Sequence, residues 1–155
     1  MCIRDSLSSP FGVALVGSDL YVANTDSLMH YTYNSGDTKV ADPGKPLTEL
    51  PGGPIDHHWT KSLVASPDGS LLYVGVGSNS NITENGMQAE KNRAAIWEVE
   101  RASGRWRIFA DGLRNPNGLS FEPTTGALWA VINERDELGP DLVPDYMTSV
   151  KDGGF

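Results

Sequence analysis

The sequence predicts an all-β fold, a β-propeller whose blades are four-stranded antiparallel sheets. Short apolar runs follow one another between turns rich in Gly, Pro, Asp and Ser, and no convincing amphipathic helix interrupts them. Similar second strands recur 52 and 56 residues apart, at Leu20-Tyr21-Val22, Leu72-Tyr73-Val74 and Leu128-Trp129-Ala130. A repeat of about fifty residues with four strands per unit is typical of propeller blades. A β-sandwich also uses many short strands, but it gives no reason for this period.

The first repeat unit contains three clear strand runs and one weaker one. Residues 11–16 and 20–23 are apolar runs that end at turn-forming residues, and residues 28–33 alternate with aromatic side chains. The turn signal Asn34-Ser35-Gly36-Asp37 comes next, and a Pro- and Gly-rich connector leads to a possible short strand at 47–50.

The second and third units repeat this pattern, with tight turns such as Ser66-Pro67-Asp68-Gly69-Ser70 between their first two strands. The predicted strands of the second unit are 62–65, 71–76, 94–99 and 105–110. Those of the third unit are 118–121 and 127–132.

These units divide the chain into a leader and one truncated propeller domain. Residues 1–9 are expected to be a non-native or disordered leader, because the first six residues lack the apolar core of a signal peptide and fit poorly with the strand pattern that begins after them. The propeller domain is expected to span 10–155. Its blades are predicted at approximately 10–53, 54–112 and 113–155, the last of them incomplete.

The composition argues for a globular protein without a nucleic-acid partner. The 155 residues are 39% hydrophobic and 21% charged, which is typical of a folded domain. A formal net charge of -8 argues against binding to nucleic acid or to an anionic membrane surface. The chain has one cysteine, so it cannot form an internal disulfide, and no apolar run approaches the ~18 residues of a membrane span.

The repeat sorts the connections onto two faces of different chemistry. In an up-and-down blade the first and third turns lie on one face, and the second loop and the connection between blades lie on the other. The first face receives only short hairpin turns. The second face receives the chemically versatile stretches 57–58, 79–90, 113–115 and 133–137. We therefore expect any site at this second face, next to the propeller axis.

The histidine pair His57-His58 precedes the first strand of the second blade and is the candidate general base. An imidazole on a loop held by a rigid scaffold is suited to proton transfer near neutral pH. Adjacent residues tend to point in opposite directions, so at most one of the two is expected to face the axis. The alternative is that a histidine caps the connection by hydrogen bonding. Metal ligation by both is disfavoured, because no third His or Cys stands at ligand spacing.

Arginine and oxygen-rich residues on the same face offer anion and cation binding. Arg114 next to Asn115 can hold a carboxylate or stabilise an oxyanion, or it can pair with a carboxylate at the rim. The oxygens of residues 133–137 suit a hard cation such as Ca²⁺, although a solvated charged loop explains them equally well. Among the tryptophans, Trp97, Trp106 and Trp129 are expected to pack between blades. Core packing is also expected for Trp59, although it could line a pocket.

Several linked stretches from about Pro10 to Phe155 carry a resemblance to a known family. They are 11–17 with 20–26, His57-His58-Trp59-Thr60-Lys61 with Ser66-Pro67-Asp68-Gly69, Gly77-Ser78-Asn79-Ser80-Asn81, 93–98, Gly112-Leu113-Arg114-Asn115-Pro116 and 133–138. In their order and spacing, they resemble the soluble quinoprotein glucose/sorbosone dehydrogenase family, and most closely its L-sorbosone dehydrogenase-like branch.

The resemblance implies about half of a six-bladed propeller that binds pyrroloquinoline quinone (PQQ) and Ca²⁺ on its axial face and oxidises an aldose or a related sugar. It places the catalytic histidine at His58, which would take the proton of the substrate hydroxyl while hydride passes to the quinone. His57 would lie beside the cofactor. Arg114 would stabilise the reduced quinone oxygen, and Asn115 would contact the cofactor.

The resemblance also places the quinone- and Ca²⁺-contacting loop at Asn133, Glu134 and Arg135. Asn133 and Arg135 are the cofactor-binding candidates. Glu134, Arg135 and Asp136 are the calcium candidates, through side chains or backbone carbonyls. In the glucose-oxidising members Gly-Pro stands where this chain has Glu134-Arg135. A periplasmic or secreted location and a small-molecule sugar substrate are further implications.

Two other functions stay open from the sequence. One is a Ca²⁺-dependent lactonase-type hydrolase on a six-bladed propeller, for which Asn24, Asn79, Asn115 and Asn133 are candidate ligands. The other is a non-catalytic propeller that serves as a binding platform. Because only about half a propeller is expected here, blade faces and strand edges are left exposed, and we expect this 155-residue fragment to be poorly stable and inactive by itself.

Overall fold

The computed structural model describes residues 7–155. The expected leader 1–9 lies mostly outside the described residues, and its boundary stays a prediction. At its described end, the Ser8 carbonyl accepts a hydrogen bond from the backbone N–H of Thr25 at 3.0 Å.

The described residues form eleven β-strands in three separate antiparallel sheets. The first sheet contains β1 (Gly12–Val16), β2 (Asp19–Ala23), β3 (Ser27–Thr32) and β4 (Lys45–Glu49). The second contains β5 (Leu63–Ala65), β6 (Leu71–Val76), β7 (Ala95–Glu100) and β8 (Trp106–Asp111). The third contains β9 (Asn115–Phe121), β10 (Leu128–Asn133) and β11 (Tyr146–Val150).

Each sheet is an up-and-down meander, in which every strand pairs with its neighbours in sequence. Gly12 pairs with Ala23 at one end of the first sheet, and the second sheet repeats this arrangement at 63 and 74. No described residue lies in a helix long and apolar enough to cross a membrane. The prediction of an all-β partial propeller with four-stranded antiparallel blades is confirmed.

The sheets stack face to face because side chains alternate along each strand. On β6, Leu72, Val74 and Val76 are fully buried in a cluster with residues of the first sheet. Tyr73 points the other way and packs in a second cluster, which includes Ile132 of the third sheet. The central sheet therefore supplies one face to each neighbouring blade, and two apolar clusters hold the three blades together.

The inner strands approach each other so closely that only glycine fits at two positions. The N–H of Gly12 in β1 donates to the Lys61 carbonyl at 3.0 Å, and a Cβ at Gly12 would lie 2.5 Å from Leu63 Cβ. A Cβ at Gly75 in β6 would lie 2.2 Å from both the Pro116 carbonyl oxygen and the Ser62 hydroxyl. These contacts fix how the blades sit around the axis.

The strand predictions differ from the structure mainly in the third sheet. Strand β9 begins at Asn115, earlier than predicted, and carries a bulge opposite Val131 and Ile132. Strand β11 was not predicted, since Tyr146–Val150 shows no strong apolar alternation and comes after a long polar loop.

Two tryptophan predictions were wrong. Trp59 is 54% exposed, because it lies in the loop before β5, where no sheet covers it. Trp106 is 40% exposed, since it begins the outer strand β8 and is covered on one side by the stacked ring of Trp97, 3.7 Å away. Trp97 itself is buried, as predicted.

Candidate functional site

Four connecting segments meet at one end of the sheets. They are the loop before β5 (residues 54–62), the loop after β6 (77–94), the turn before β9 (112–114) and the loop after β10 (134–145). Backbone hydrogen bonds join the first three, from His57 N–H to the Asn79 carbonyl at 3.2 Å and from Ser78 N–H to the Arg114 carbonyl at 2.7 Å. The Arg114 side chain joins the fourth, because it donates to the Glu134 carbonyl and to the Asp136 carboxylate. The short hairpins lie at the other end. The axial face expected from the repeat is thus a physically connected surface.

Ser78 fixes the tautomer of the neutral His58 ring. The Nδ1 atom of His58 lies 2.9 Å from the Ser78 carbonyl oxygen and 3.1 Å from its hydroxyl. A carbonyl oxygen only accepts, so Nδ1 must carry the hydrogen. In the neutral ring the lone pair then resides on Nε2, and no hydrogen bond within residues 7–155 engages that nitrogen. His58 is therefore held as a base whose basic atom is available to a ligand.

The surroundings of His58 keep the ring neutral. Burial lowers the pKa of His58 below its ordinary value, and electrostatic repulsion from the Arg114 guanidinium and from the neighbouring His57 ring lowers it further. The hydrogen bond to Ser78 and the Asp136 carboxylate oppose this shift. A histidine with a lowered pKa is unprotonated at neutral pH and can accept a proton there.

The expectation that the two histidines point in opposite directions was wrong. Their rings touch edge to face, with centroids 4.5 Å apart and planes at 86°. The side-chain alternation of a strand does not apply to them, because β5 begins only at Leu63. His57 is exposed and lines a cleft of about 270 Å³ with Asn79, Glu84 and other polar residues.

Arg114 organises the rim between the second and third blades. Its five N–H donors face five acceptor oxygens. Nε donates to the Asn81 carbonyl at 3.2 Å, and Nη1 donates to the carbonyls of Asn133 (3.3 Å) and Glu134. Nη2 donates to Asn81 Oδ1 at 2.7 Å and to the Asp136 carboxylate at 3.0 Å. The side chain of Asp136 is 69% exposed, so this ion pair is the contact that an anionic ligand would exchange most easily.

Asn115 and Asn133 extend this rim toward the axis. Asn115 Nδ2 lies 3.4 Å from Asn133 Oδ1, a long hydrogen bond. Asn115 Oδ1 is buried and accepts no hydrogen bond from residues 7–155, and it packs against Gly77, where a Cβ would lie 2.4 Å away. Asp145 positions the other end of this pair, since its carboxylate accepts hydrogen bonds from Asn133 Nδ2 and from Glu134 N–H, both at 2.9 Å.

Glu134, Arg135 and Asp136 lie together on the loop after β10, but they do not form a carboxylate cage. Within residues 7–155, no three His, Cys, Asp or Glu side chains cluster in a way that could hold a metal ion. The Glu134 carbonyl accepts a hydrogen bond from Arg114, and Asp136 is paired with the same arginine. Arg135 is exposed on this loop.

The structure thus brings most of the predicted residues together. His58 and Arg114 meet through Ser78, and Arg114 contacts Asn133, Glu134 and Asp136 directly. A further group of residues was given no role from the sequence, and its members share burial or central hydrogen bonding: Asp56, Lys61, Ser78, Arg93 and Asp145. Their partners are distant in sequence, so only the folded chain reveals them.

Replacing Arg114 with glutamine should raise the pKa of His58. The change removes a positive charge that disfavours the imidazolium, and it leaves the Asp136 carboxylate without its partner. Long-range ¹H–¹⁵N NMR titration of the histidines, assigned with single His→Gln variants, measures this pKa. Arg101→Gln is the matched control, because Arg101 is paired with Asp19 at the opposite end and should leave His58 unchanged. A His58 pKa that falls or stays constant in Arg114→Gln would contradict this geometry.

Comparison with known proteins places this chain in a family. The model of the TrAA12-like family matches residues 2–146. The chain belongs to the TrAA12-like family. Among curated relatives, a pyrroloquinoline quinone-dependent sugar dehydrogenase from Hypocrea jecorina (strain QM6a) is 22% identical over 144 residues, which cover 86% of this chain and 33% of the relative. The resemblance to PQQ-dependent sugar dehydrogenases seen in the sequence is confirmed.

Two solved structures of other proteins share the fold of this TrAA12-like chain. The calcium structure of Trichoderma reesei Carbohydrate-Active Enzymes Family AA12 matches with a TM-score of 0.74 at 21% identity, covering 91% of this chain and 40% of that one. The holo form of the pyranose dehydrogenase PQQ domain from Coprinopsis cinerea matches with a TM-score of 0.73 at 15% identity, covering 97% and 52%. This TrAA12-like chain thus spans about a third of the curated dehydrogenase and two fifths to half of the solved neighbours.

Proposed function

We propose that this chain supplies three consecutive blades, and the proton-accepting part of the active site, of a PQQ-dependent sugar dehydrogenase. The observation that carries the proposal is His58, a neutral imidazole with Nδ1–H directed at the Ser78 carbonyl and Nε2 left available at the axial rim. The family membership and the name of the Hypocrea jecorina relative support the same reaction class.

In the proposed reaction His58 Nε2 takes the proton of the substrate hydroxyl while the carbon that bears this hydroxyl gives up hydride. PQQ, when bound, supplies the two-electron acceptor for that hydride. His58 ends as imidazolium, and the hydroxyl carbon becomes a carbonyl, so that charge and electrons balance. The burial that lowers the pKa of His58 keeps the ring unprotonated at neutral pH, so that Nε2 is able to accept the proton.

The residues at the rim fit a polyanionic quinone in part. Arg114 is the cation, because its contact with the exposed Asp136 carboxylate can be exchanged for an anionic oxygen of the ligand. Arg114 would thus stabilise negative charge on a quinone oxygen. Cofactor contacts by His57, Asn115, Asn133 and Arg135 are part of the proposal. The buried, unpartnered Oδ1 of Asn115 marks a polar group close to this rim.

Calcium fits the described residues less well than PQQ does. The side chains of Glu134 and Asp136 do not converge with a third acidic, histidine or cysteine side chain anywhere in residues 7–155. A calcium site at Glu134, Arg135 and Asp136 therefore stays a prediction, and no step of the reaction is assigned to it. A periplasmic or secreted location likewise stays a prediction.

The test uses an intact propeller, meaning a full-length protein in which this chain supplies its three blades. It can be produced from a complete gene or as a chimera with the Hypocrea jecorina relative. We expect sugar-dependent dye reduction only after PQQ and Ca²⁺ are added. Incubation with lactones under the same conditions tests the hydrolase alternative. Hydrolysis without dye reduction, or neither activity in a folded, PQQ-loaded protein, would overturn the proposal.

A further inference from the structure

Beneath the histidine loop lies a buried cluster of three charged side chains, Asp56, Lys61 and Arg93. The side chains of Lys61, Arg93 and Asp56 are only 0%, 3% and 6% exposed. Arg93 Nη1 donates to Asp56 Oδ1 at 2.7 Å, and Lys61 Nζ lies 3.5 Å from Asp56 Oδ2. The cluster contains two cations and one carboxylate, so its charge is not balanced by ion pairing alone.

Backbone carbonyl oxygens stabilise the excess positive charge by accepting hydrogen bonds from the two cations. Lys61 Nζ donates to the carbonyls of Trp59 at 3.2 Å and of His58 at 3.4 Å. Arg93 donates to the carbonyls of Pro51 and Gly52, at 2.9 and 3.0 Å. The cluster therefore ties the end of the first blade to the loop that carries the histidines.

Buried ion pairs are seldom a net source of stability, because desolvation offsets their attraction. A lysine that is fully buried needs another reason to be there, and its contacts supply one. Lys61 Nζ donates to the backbone carbonyl of His58, while the Ser78 carbonyl accepts from Nδ1 of the His58 ring. The Lys61 carbonyl also accepts from Gly12 N–H, which anchors this lysine to the first blade.

We propose that Lys61, supported by Asp56 and Arg93, is a positioning residue that holds the His58–Trp59 backbone so that the His58 ring keeps its Nδ1–H contact with Ser78 and presents Nε2 to the substrate. This inference rests on the proposed function for the role of Nε2. Its structural part, the control of the ring by a buried lysine, does not depend on any activity.

The first test is the tautomer of His58 in the Lys61→Met variant of the intact propeller, measured by long-range ¹H–¹⁵N NMR. Methionine fills a similar volume and leaves the neutral pair Asp56–Arg93, so little loss of stability is expected. We expect the unmodified chain to show Nδ1–H alone, and Lys61→Met to show a mixture with Nε2–H. Lys61→Arg, which keeps the donors and the charge, should restore the single tautomer. Arg101→Gln at the opposite end is the control.

The second test is kinetic and uses the intact propeller. If His58 is displaced by about 1 Å, Lys61→Met should lower kcat by about 100-fold and leave the KM for sugar nearly unchanged. A folded Lys61→Met variant that keeps the single Nδ1–H tautomer and full kcat would overturn the inference. If that variant does not fold, Lys61→Gln is used in its place, because it also removes the ammonium group that donates to the His58 and Trp59 carbonyls. An unchanged tautomer in Lys61→Gln would then overturn the inference.

The two proposals fail in different ways. If the unmodified protein shows no sugar oxidation but the NMR results are as expected, the positioning role stands and the proposed function falls. If sugar oxidation depends on His58 but the tautomer does not respond to Lys61→Met, the function stands and the positioning role falls.

Discussion

Replacing His58 with alanine in the intact propeller should lower kcat for sugar oxidation by about 10²- to 10⁴-fold, the usual contribution of a general base. Nε2 of the His58 ring is available at the rim, because Nδ1 donates its hydrogen to the Ser78 carbonyl. PQQ binding should persist, since Arg114 and the neighbouring loop do not depend on the ring for their own contacts. Dye-reduction kinetics and quinone absorbance of the same samples measure the two effects separately.

His30→Gln is the matched control for this experiment. His30 is the remaining histidine of the chain, and it lies on β3, where Nε2 is 2.7 Å from Asp19 near the hairpin end. Its replacement should leave both turnover and quinone binding unchanged. Full activity in His58→Ala, or a joint loss of activity and quinone, would show that His58 is not the base.

The second large effect is expected at Gly75, where β6 passes against β9. A Cβ there would lie 2.2 Å from the Pro116 carbonyl oxygen, a backbone atom that cannot move without shifting the third blade. Gly75→Ala should therefore lower the free energy of unfolding by at least about 1–3 kcal/mol, the usual cost of overpacking. Urea unfolding measures it as a lower midpoint with an unchanged m-value.

Gly118→Ala separates this clash from the general effect of a methyl group on a strand glycine. A Cβ at Gly118 would meet Val131 Cβ at 3.6 Å, an ordinary van der Waals distance. Its effect on stability should be small or slightly favourable, since glycine is the more flexible residue in the unfolded chain. Equal effects of the two substitutions would mean that β6 and β9 are not in the contact described here.

The sequence was sufficient to predict the blades and the face on which the candidate site residues meet. Strand alternation and the repeat of second strands are local signals, so the strands around Leu72 and Leu128 could be recognised directly. Because the turns of a meander alternate between two faces, the meeting of His58, Arg114 and Asn133 could also be predicted from the order of the strands.

The contacts that define the chemistry could not be predicted in this way. Asp56 and Arg93 are 37 residues apart, and a buried pair of this kind has the same sequence appearance as two surface charges. The choice between His57 and His58 as base came from the family resemblance; the structure adds the contact with Ser78, twenty residues further along the chain. The exposure of Trp59 was missed because neither composition nor spacing shows which loops stay uncovered.

A crystal structure of the intact propeller with PQQ would decide whether the axial rim is the active site. We expect the quinone to lie at this rim, with an oxygen within hydrogen-bond distance of the Arg114 guanidinium and with His58 Nε2 facing the substrate position. The ring of His58 should keep its contact with the Ser78 carbonyl. A quinone bound at the hairpin end, or a His58 ring turned so that Nε2 points into the protein, would show that the site lies elsewhere or works differently.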